Sequence, residues 1–198
     1  MLFLNLALVT ALVVAGLAAH SLAVLAAGAD YLADAAAIGV SLLAIWLTAR
    51  PPTPARPRGY PHATNIAALV NAGWLLVLNI VIIAAAIQHL VAGTRRVEGL
   101  PVLITSGIAA VVMLAGALIL GGDPDDDKGG EDLNVKAVLL DTAADAAAAS
   151  GVAVSGAIIL GTGGWYWLDP ATALAIAVIV GYHAQKLARK ITAALRSP

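Results

Sequence analysis

The chain contains no cysteine. That excludes disulfides, thiolate metal ligands and thiol nucleophiles together, and it leaves the redox compartment unread. Charge is also scarce. Only 12% of the 198 residues are Asp, Glu, Lys or Arg, against about a quarter in a soluble domain. The net charge of −1 gives no electrostatic case for binding nucleic acid. The segment after Met1 lacks the basic stretch and small-residue cleavage pattern of a secretory leader, so the first apolar run reads as a retained helix.

What the chain does have is apolar surface. Hydrophobic residues make up 61% of it and the mean hydropathy is +0.91. Six apolar segments stand between polar breaks: Leu2 to Ala18, Leu22 to Leu47, Ala63 to Val91, Leu100 to Leu120, Leu133 to Leu160 and Pro170 to Leu187. Each reaches or approaches the roughly 20 residues that a helix needs to cross about 30 Å of hydrocarbon. The expected fold is an all-α integral membrane protein with six transmembrane helices, forming a single membrane domain over residues 1–198 with no soluble C-terminal domain.

The breaks fit that reading. Ala19-His20-Ser21 is short enough for a helical hairpin. The Pro-rich stretch from Arg50 to Arg58 cannot be helical throughout. The GGDPDDDKGGED run from Gly121 to Asp132 reads as a solvated loop, and Gly161 to Asp169, rich in Gly and Trp, as an interfacial turn. With both termini cytoplasmic, the inner segments carry Arg50, Arg56, Arg58, Lys128, Lys136, Lys186, Arg189, Lys190 and Arg196. The outer side keeps only Arg95 and Arg96. The positive-inside rule therefore places both termini in the cytoplasm of a multi-pass protein of the cell inner (plasma) membrane.

Four acidic residues fall well inside apolar segments: Asp30 and Asp34 in the second, Asp141 and Asp145 in the fifth. Each pair is spaced i, i+4, which puts both carboxylates on one helix face with Cβ atoms roughly 5–6 Å apart. A carboxylate in hydrocarbon costs several kcal/mol, and a like charge one turn away adds to it. Protons or a divalent cation are the candidates to neutralise them. If helices two and five face each other at matched depth, the four Asp residues surround one point. Such an oxygen set at about 2.0–2.2 Å suits Zn²⁺, and Mn²⁺ equally. With all four ionised, one dication still leaves two negative charges, so at least one Asp is expected to keep or share a proton in the metal-loaded state. Affinity must then fall as pH falls. The bland alternative makes each Asp a protonated interhelical hydrogen-bond donor; two pairs of matched spacing argue against it.

At these residues the chain resembles the cation diffusion facilitator family of divalent metal/proton antiporters, which places a His/Asp-x-x-x-Asp motif on its second and fifth helices. Here the motif reads Asp30-Tyr31-Leu32-Ala33-Asp34 and Asp141-Thr142-Ala143-Ala144-Asp145. The resemblance continues through Ser21 to Ala26, Gly59-Tyr60, Leu69-Val70-Asn71, Ile87 to Leu90, Gly99-Leu100-Pro101, Leu133 to Ala137 and Asp169-Pro170, in the family's order. Three departures stand out. The chain looks like a short subclass without the family's cytoplasmic domain. Thr64 replaces an acidic residue after the Gly-Tyr loop, where His62 stands at a typical basic position. A helix-four Asn is missing from Ile108–Leu114.

The resemblance implies proton-coupled export of a dication by alternating access, and homodimerisation. The metal is Zn²⁺ or Mn²⁺, with Cd²⁺, Co²⁺ and Fe²⁺ behind, carried as substrate with no prosthetic group. An enzyme is not expected. The rival reading is an intramembrane metal-dependent enzyme using the paired Asp residues, but the Gly-x-Gly-Asp element of membrane aspartyl proteases and the upstream Arg of head-group transferases are both missing.

Other polar residues stay open between a role and a packing function. His20 stands about 15 Å along the helix from Asp30. His62, His89 and His183 read as interfacial. Asn65, Asn71, Asn79 and Gln88 lie on helix three as hydrogen-bond partners for the Asp helices or as interhelical glue. Trp46, Trp165 and Trp167 fit an aromatic belt. Asp125 to Asp127 reads first as solvated loop, second as a cation-attracting mouth.

Overall fold

The computed structural model describes residues 2–50, 60, 63–120 and 133–196; side-chain surroundings are not described at several helix ends, including residues 133–138, 140 and 141. It contains six α-helices: α1 Leu2–Ala19, α2 Leu22–Thr48, α3 Ala63–Ala92, α4 Gly99–Leu120, α5 Leu133–Thr162 and α6 Leu168–Arg196. Among the described residues there is no strand. Four helices (α2 to α5) are long and apolar enough to cross a bilayer, and α1 contributes a shorter apolar stretch. The expected all-helical membrane fold is what forms.

Helix starts agree with the sequence reading within two residues. The end of α6 does not: it runs nine residues beyond Leu187, to Arg196. Hydropathy marks the edge of the hydrocarbon, whereas Lys, Arg, Ala and Leu are all good helix formers and carry the helix on into polar surroundings.

Local chemistry sets the tight turn between α1 and α2. The Ser21 amide donates to the Gly16 carbonyl and the His20 amide to Leu17, the two bonds of a Schellman motif. His20 holds the left-handed position of that motif at φ 55° and is exposed. Its place is that of a helix terminator facing solvent. Ser21 then caps α2, its Oγ accepting from the Val24 amide at 3.1 Å. Both α4 and α6 carry proline in their first turn (Pro101 and Pro170), where a missing N–H leaves no bond unmade.

Packing relies on small residues. The most extensive interhelical contacts are α4 with α5 and α3 with α6, followed by α2 with α3 and α1 with α2; α2 meets α5 only sparsely. Ala19, Ala23, Ala26, Ala109, Ala149 and Ala173 are buried alongside Leu12, Val24, Val102, Val152 and Ile159. Small side chains let helix backbones approach closely, the main source of association where lipid is as apolar as the core. At the α4/α5 crossing, a Cβ on Gly99 would lie 2.7 Å from the Gly156 carbonyl oxygen, and one on Gly156 would lie 2.8 Å from the Leu103 amide nitrogen. Large apolar residues face outward instead: Leu42, Ile80, Val111, Leu118 and Ile179 are exposed, as a lipid-facing surface requires.

Aromatic residues mark the two ends. Trp46 near the end of α2 carries the Arg50 guanidinium 3.7 Å above its ring. Trp165 and Trp167, in the α5–α6 turn and at its junction with α6, are exposed at the opposite end.

Candidate metal centre

Asp30 and Asp34 lie one turn apart on α2, separated by about 6 Å of helical rise. Asp141 and Asp145 have the same spacing on α5. Asp30, Asp34 and Asp145 are all half-buried. Asp141 lies on α5 one turn before Asp145; its side chain lies outside the described residues.

The structure joins the two helices at the level of these residues through Tyr31. This side chain, 2% exposed, sits inside the first motif, and its hydroxyl donates across to the main-chain carbonyl of Asp145 at 3.4 Å. Tyr31 follows Asp30 directly in the sequence and lies three residues before Asp34, so the bond ties the first acidic motif to the main chain of the second. Among the described residues no group of three or more His, Cys, Asp or Glu is drawn close enough to hold a metal ion. Asp30, Asp34 and Asp145 therefore do not close a site by themselves. Contact between α2 and α5 is sparse, and the Tyr31 hydrogen bond is a link between them.

Asp30 lines a cavity of about 10 Å³ between α2, α3 and α6. That is room for about one water molecule. Asn79 of α3 shares its wall with Asp30, together with Ala26, Ile82 and Ile176. Asn79 is 5% exposed; its Nδ2 donates to the Leu75 carbonyl at 2.8 Å, and Gly181 of α6 packs against its side chain. Of the four polar residues noted on α3, Asn79 is the one placed beside a motif carboxylate. Asn65 and Asn71 are half-buried elsewhere, and Gln88 is exposed.

The remaining candidates fall away from the carboxylates. His20 is exposed in its turn, His89 is half-buried in the last turn of α3, and His183 is exposed with its ring 5.9 Å from that of Tyr182. His62 and Asp125 to Asp127 lie outside the described residues. Tyr31 was not singled out in the sequence, although its position one residue after Asp30 turns it about 100° from the carboxylate face, toward a different neighbour. Replacing Tyr31 with Phe should lower stability by about 0.6 kcal/mol, the average for an interhelical side-chain bond in a membrane, as read by thermal unfolding in detergent.

Comparison with known proteins agrees with this architecture. The cation efflux transmembrane domain matches residues 1–195. The zinc transporter ZitB of Escherichia coli is 32% identical over 177 residues, covering 88% of this chain and 54% of that protein. The proton-coupled zinc antiporter SLC30A2 of Mus musculus is 29% identical over 177 residues, covering 85% and 48%. A cadmium, cobalt and zinc/H(+)-K(+) antiporter of Bacillus velezensis is 27% identical over 177 residues, covering 87% and 55%. The chain thus spans about half the length of the curated relatives it matches. A domain match over nearly every residue, on six helices with an acidic pair on the second and another on the fifth, places this multi-pass membrane chain in the cation efflux family.

Proposed function

We propose that this chain is the membrane domain of a proton-coupled antiporter that exports a divalent transition metal from the cytoplasm, with Asp30, Asp34, Asp141 and Asp145 as the metal ligands. The observation that carries the reading is the Tyr31 bridge, which ties the middle of one acidic motif to the main chain of the other. The names of the relatives support zinc and proton exchange as the class of activity. Zn²⁺ and Mn²⁺ both suit an all-carboxylate set, with Cd²⁺, Co²⁺ and Fe²⁺ behind, and the absence of imidazole weakens the usual preference for zinc.

The mechanism follows from charge. A dication entering from the cytoplasmic side displaces protons from the carboxylates, because four ionised groups cannot share one small volume without a counter-charge. Rocking of helices then turns the loaded site outward. Protons arriving from outside compete for the same oxygens, the metal leaves, and the protonated, nearly neutral site crosses back at low electrostatic cost. Asn79 shares a water-sized cavity with Asp30 and is the polar neighbour of that carboxylate on α3. Both termini are assigned to the cytoplasm by the Lys and Arg distribution, so the Arg50 end of α2 faces inward and the Ser21 end outward. A homodimer is the assembly the family resemblance supports.

Calorimetric titration of purified protein with Zn²⁺ and with Mn²⁺, at two pH values about one unit either side of neutral, tests the reading. Each proton displaced per metal should weaken binding about tenfold for every unit that pH falls. Affinity independent of pH for both ions, or no binding of either, would contradict it.

A further inference from the structure

At the Ser21 end of the bundle lies a buried carboxylate that the transport step does not use. Asp169, in the first turn of α6, is 1% exposed. Its Oδ1 accepts from Ser21 Oγ at 2.5 Å, and its Oδ2 accepts from the amides of Leu22 at 2.6 Å and Ala23 at 3.3 Å. With Ser21 Oγ bonded to the Val24 amide, the first three amides of α2 are all satisfied, two of them by a side chain about 150 residues further along the chain. A negative group here also faces the positive end of the α2 dipole. The same corner holds α1 and α4 together, since the Glu98 amide donates to the Ala19 carbonyl at 3.1 Å.

The opposite end of α2 is built differently. Its buried residues are concentrated between Ala23 and Ala33, and beyond them only Ala44 is buried. Between α2 and α3 at that end lies an apolar groove of about 420 Å³, lined by residues that include Val40, Leu43, Ala44, Ile66 and Val70. One end of the helix that carries Asp30 and Asp34 is held by three hydrogen bonds to a buried carboxyl group, and the other borders an apolar groove.

We infer that the Asp169–Ser21 tie is the latch that keeps the Asp30/Asp34 site closed on the Ser21 side, and that it breaks when the site opens to that side. Asp169 is a positioning residue: it is not one of the four proposed ligands, and acts by fixing the first turn of α2 against α6, which itself packs along α3. The inference rests on the reading of the Asp pairs as a transport site. What it adds is the group whose release permits outward exposure.

The lack of native cysteine makes the test direct. A single cysteine replaces Ala26, which is 2% exposed and lines the cavity beside Asp30, and a second background carries it at Ala44 in the apolar groove. Labelling by a small charged thiosulfonate is timed in metal-free protein. Asp169→Asn, which removes the charge and one acceptor, should speed labelling at position 26 about tenfold or more and leave position 44 unchanged. Ser21→Ala, which keeps both main-chain bonds to Asp169, should speed it less. The double variant should match Asp169→Asn alone, because both changes break one tie. Equal rates in the variants and parent, or equal acceleration at both positions, would overturn the latch. If Asp169→Asn does not fold, Ser21→Ala decides by the same two rates. Because no metal is present, this result is separate from the titration that tests the transport reading.

Discussion

Alanine at Asp34 or at Asp145 should abolish metal-for-proton exchange in proteoliposomes while the six helices remain folded. Each change deletes an anionic oxygen from a set of four and removes one titrating group from the exchange. Loss of a partner that merely orients a ligand costs about 10–100-fold in affinity, so loss of the ligand itself should exceed the upper figure. Folding should survive, because both residues are half-buried, alanine is the best helix former, and an unneutralised carboxylate in an apolar helix is itself a burden. Asparagine at the same positions keeps the size and one oxygen but cannot carry a proton. Any metal bound by Asp34→Asn should therefore show a shallower dependence on pH than the parent. Transport at parental rate by either alanine variant would remove that residue from the site.

The second large effect concerns the scaffold under α5. Gly156→Leu should separate α4 from α5 and lower the unfolding temperature steeply; Gly156→Ala should do so by a smaller amount, on the order of 1–3 kcal/mol for an overpacked contact. A Cβ at this position meets the Leu103 amide nitrogen and Val102 Cγ1, both at 2.8 Å, and the Gly99 carbonyl oxygen at 3.1 Å. Two of these are backbone atoms of α4 and cannot swing aside as a long side chain does. The whole helix must shift, in the most extensively packed pair of the bundle. The displaced helix carries Asp141 and Asp145, so metal affinity should fall with stability. Gly107 on α4 is the control, since nothing lies within 4 Å of a Cβ there. Gly107→Ala should leave the unfolding temperature unchanged or raise it, as the helix gains propensity.

Much of this was legible in the sequence because a bilayer imposes simple rules. Apolar runs of membrane length predicted six helices, and Ser21, Gly93 and Pro101 mark boundaries where the structure has them. The two Asp pairs stood out because carboxylates in apolar helices need a reason. The end of α6 was misread since hydropathy reports where hydrocarbon stops and is blind to a helix that continues beyond it. What sequence could not supply is pairing between distant residues. Asp169 reads as an ordinary first-turn acid at a helix start, and only tertiary packing buries it against Ser21. Asn79 is one of four similar polar residues on α3 until Gly181 and Asp30 close around it. Gly99 and Gly156 are two among 19 glycines, distinguished only by the backbone each one meets. Tyr31 belongs to the same class: its reach to Asp145 depends on where α5 sits.

Export by the proposed route requires α2 and α5 to supply oxygen ligands to the same ion. A structure of the zinc-loaded protein, with the ion located by its anomalous scattering, tests this most directly. The prediction is one peak between the two helices near Tyr31, about 2.0–2.2 Å from carboxylate oxygens of both pairs. An ion held by residues of a single helix, or seated away from Asp30, Asp34, Asp141 and Asp145, would contradict it.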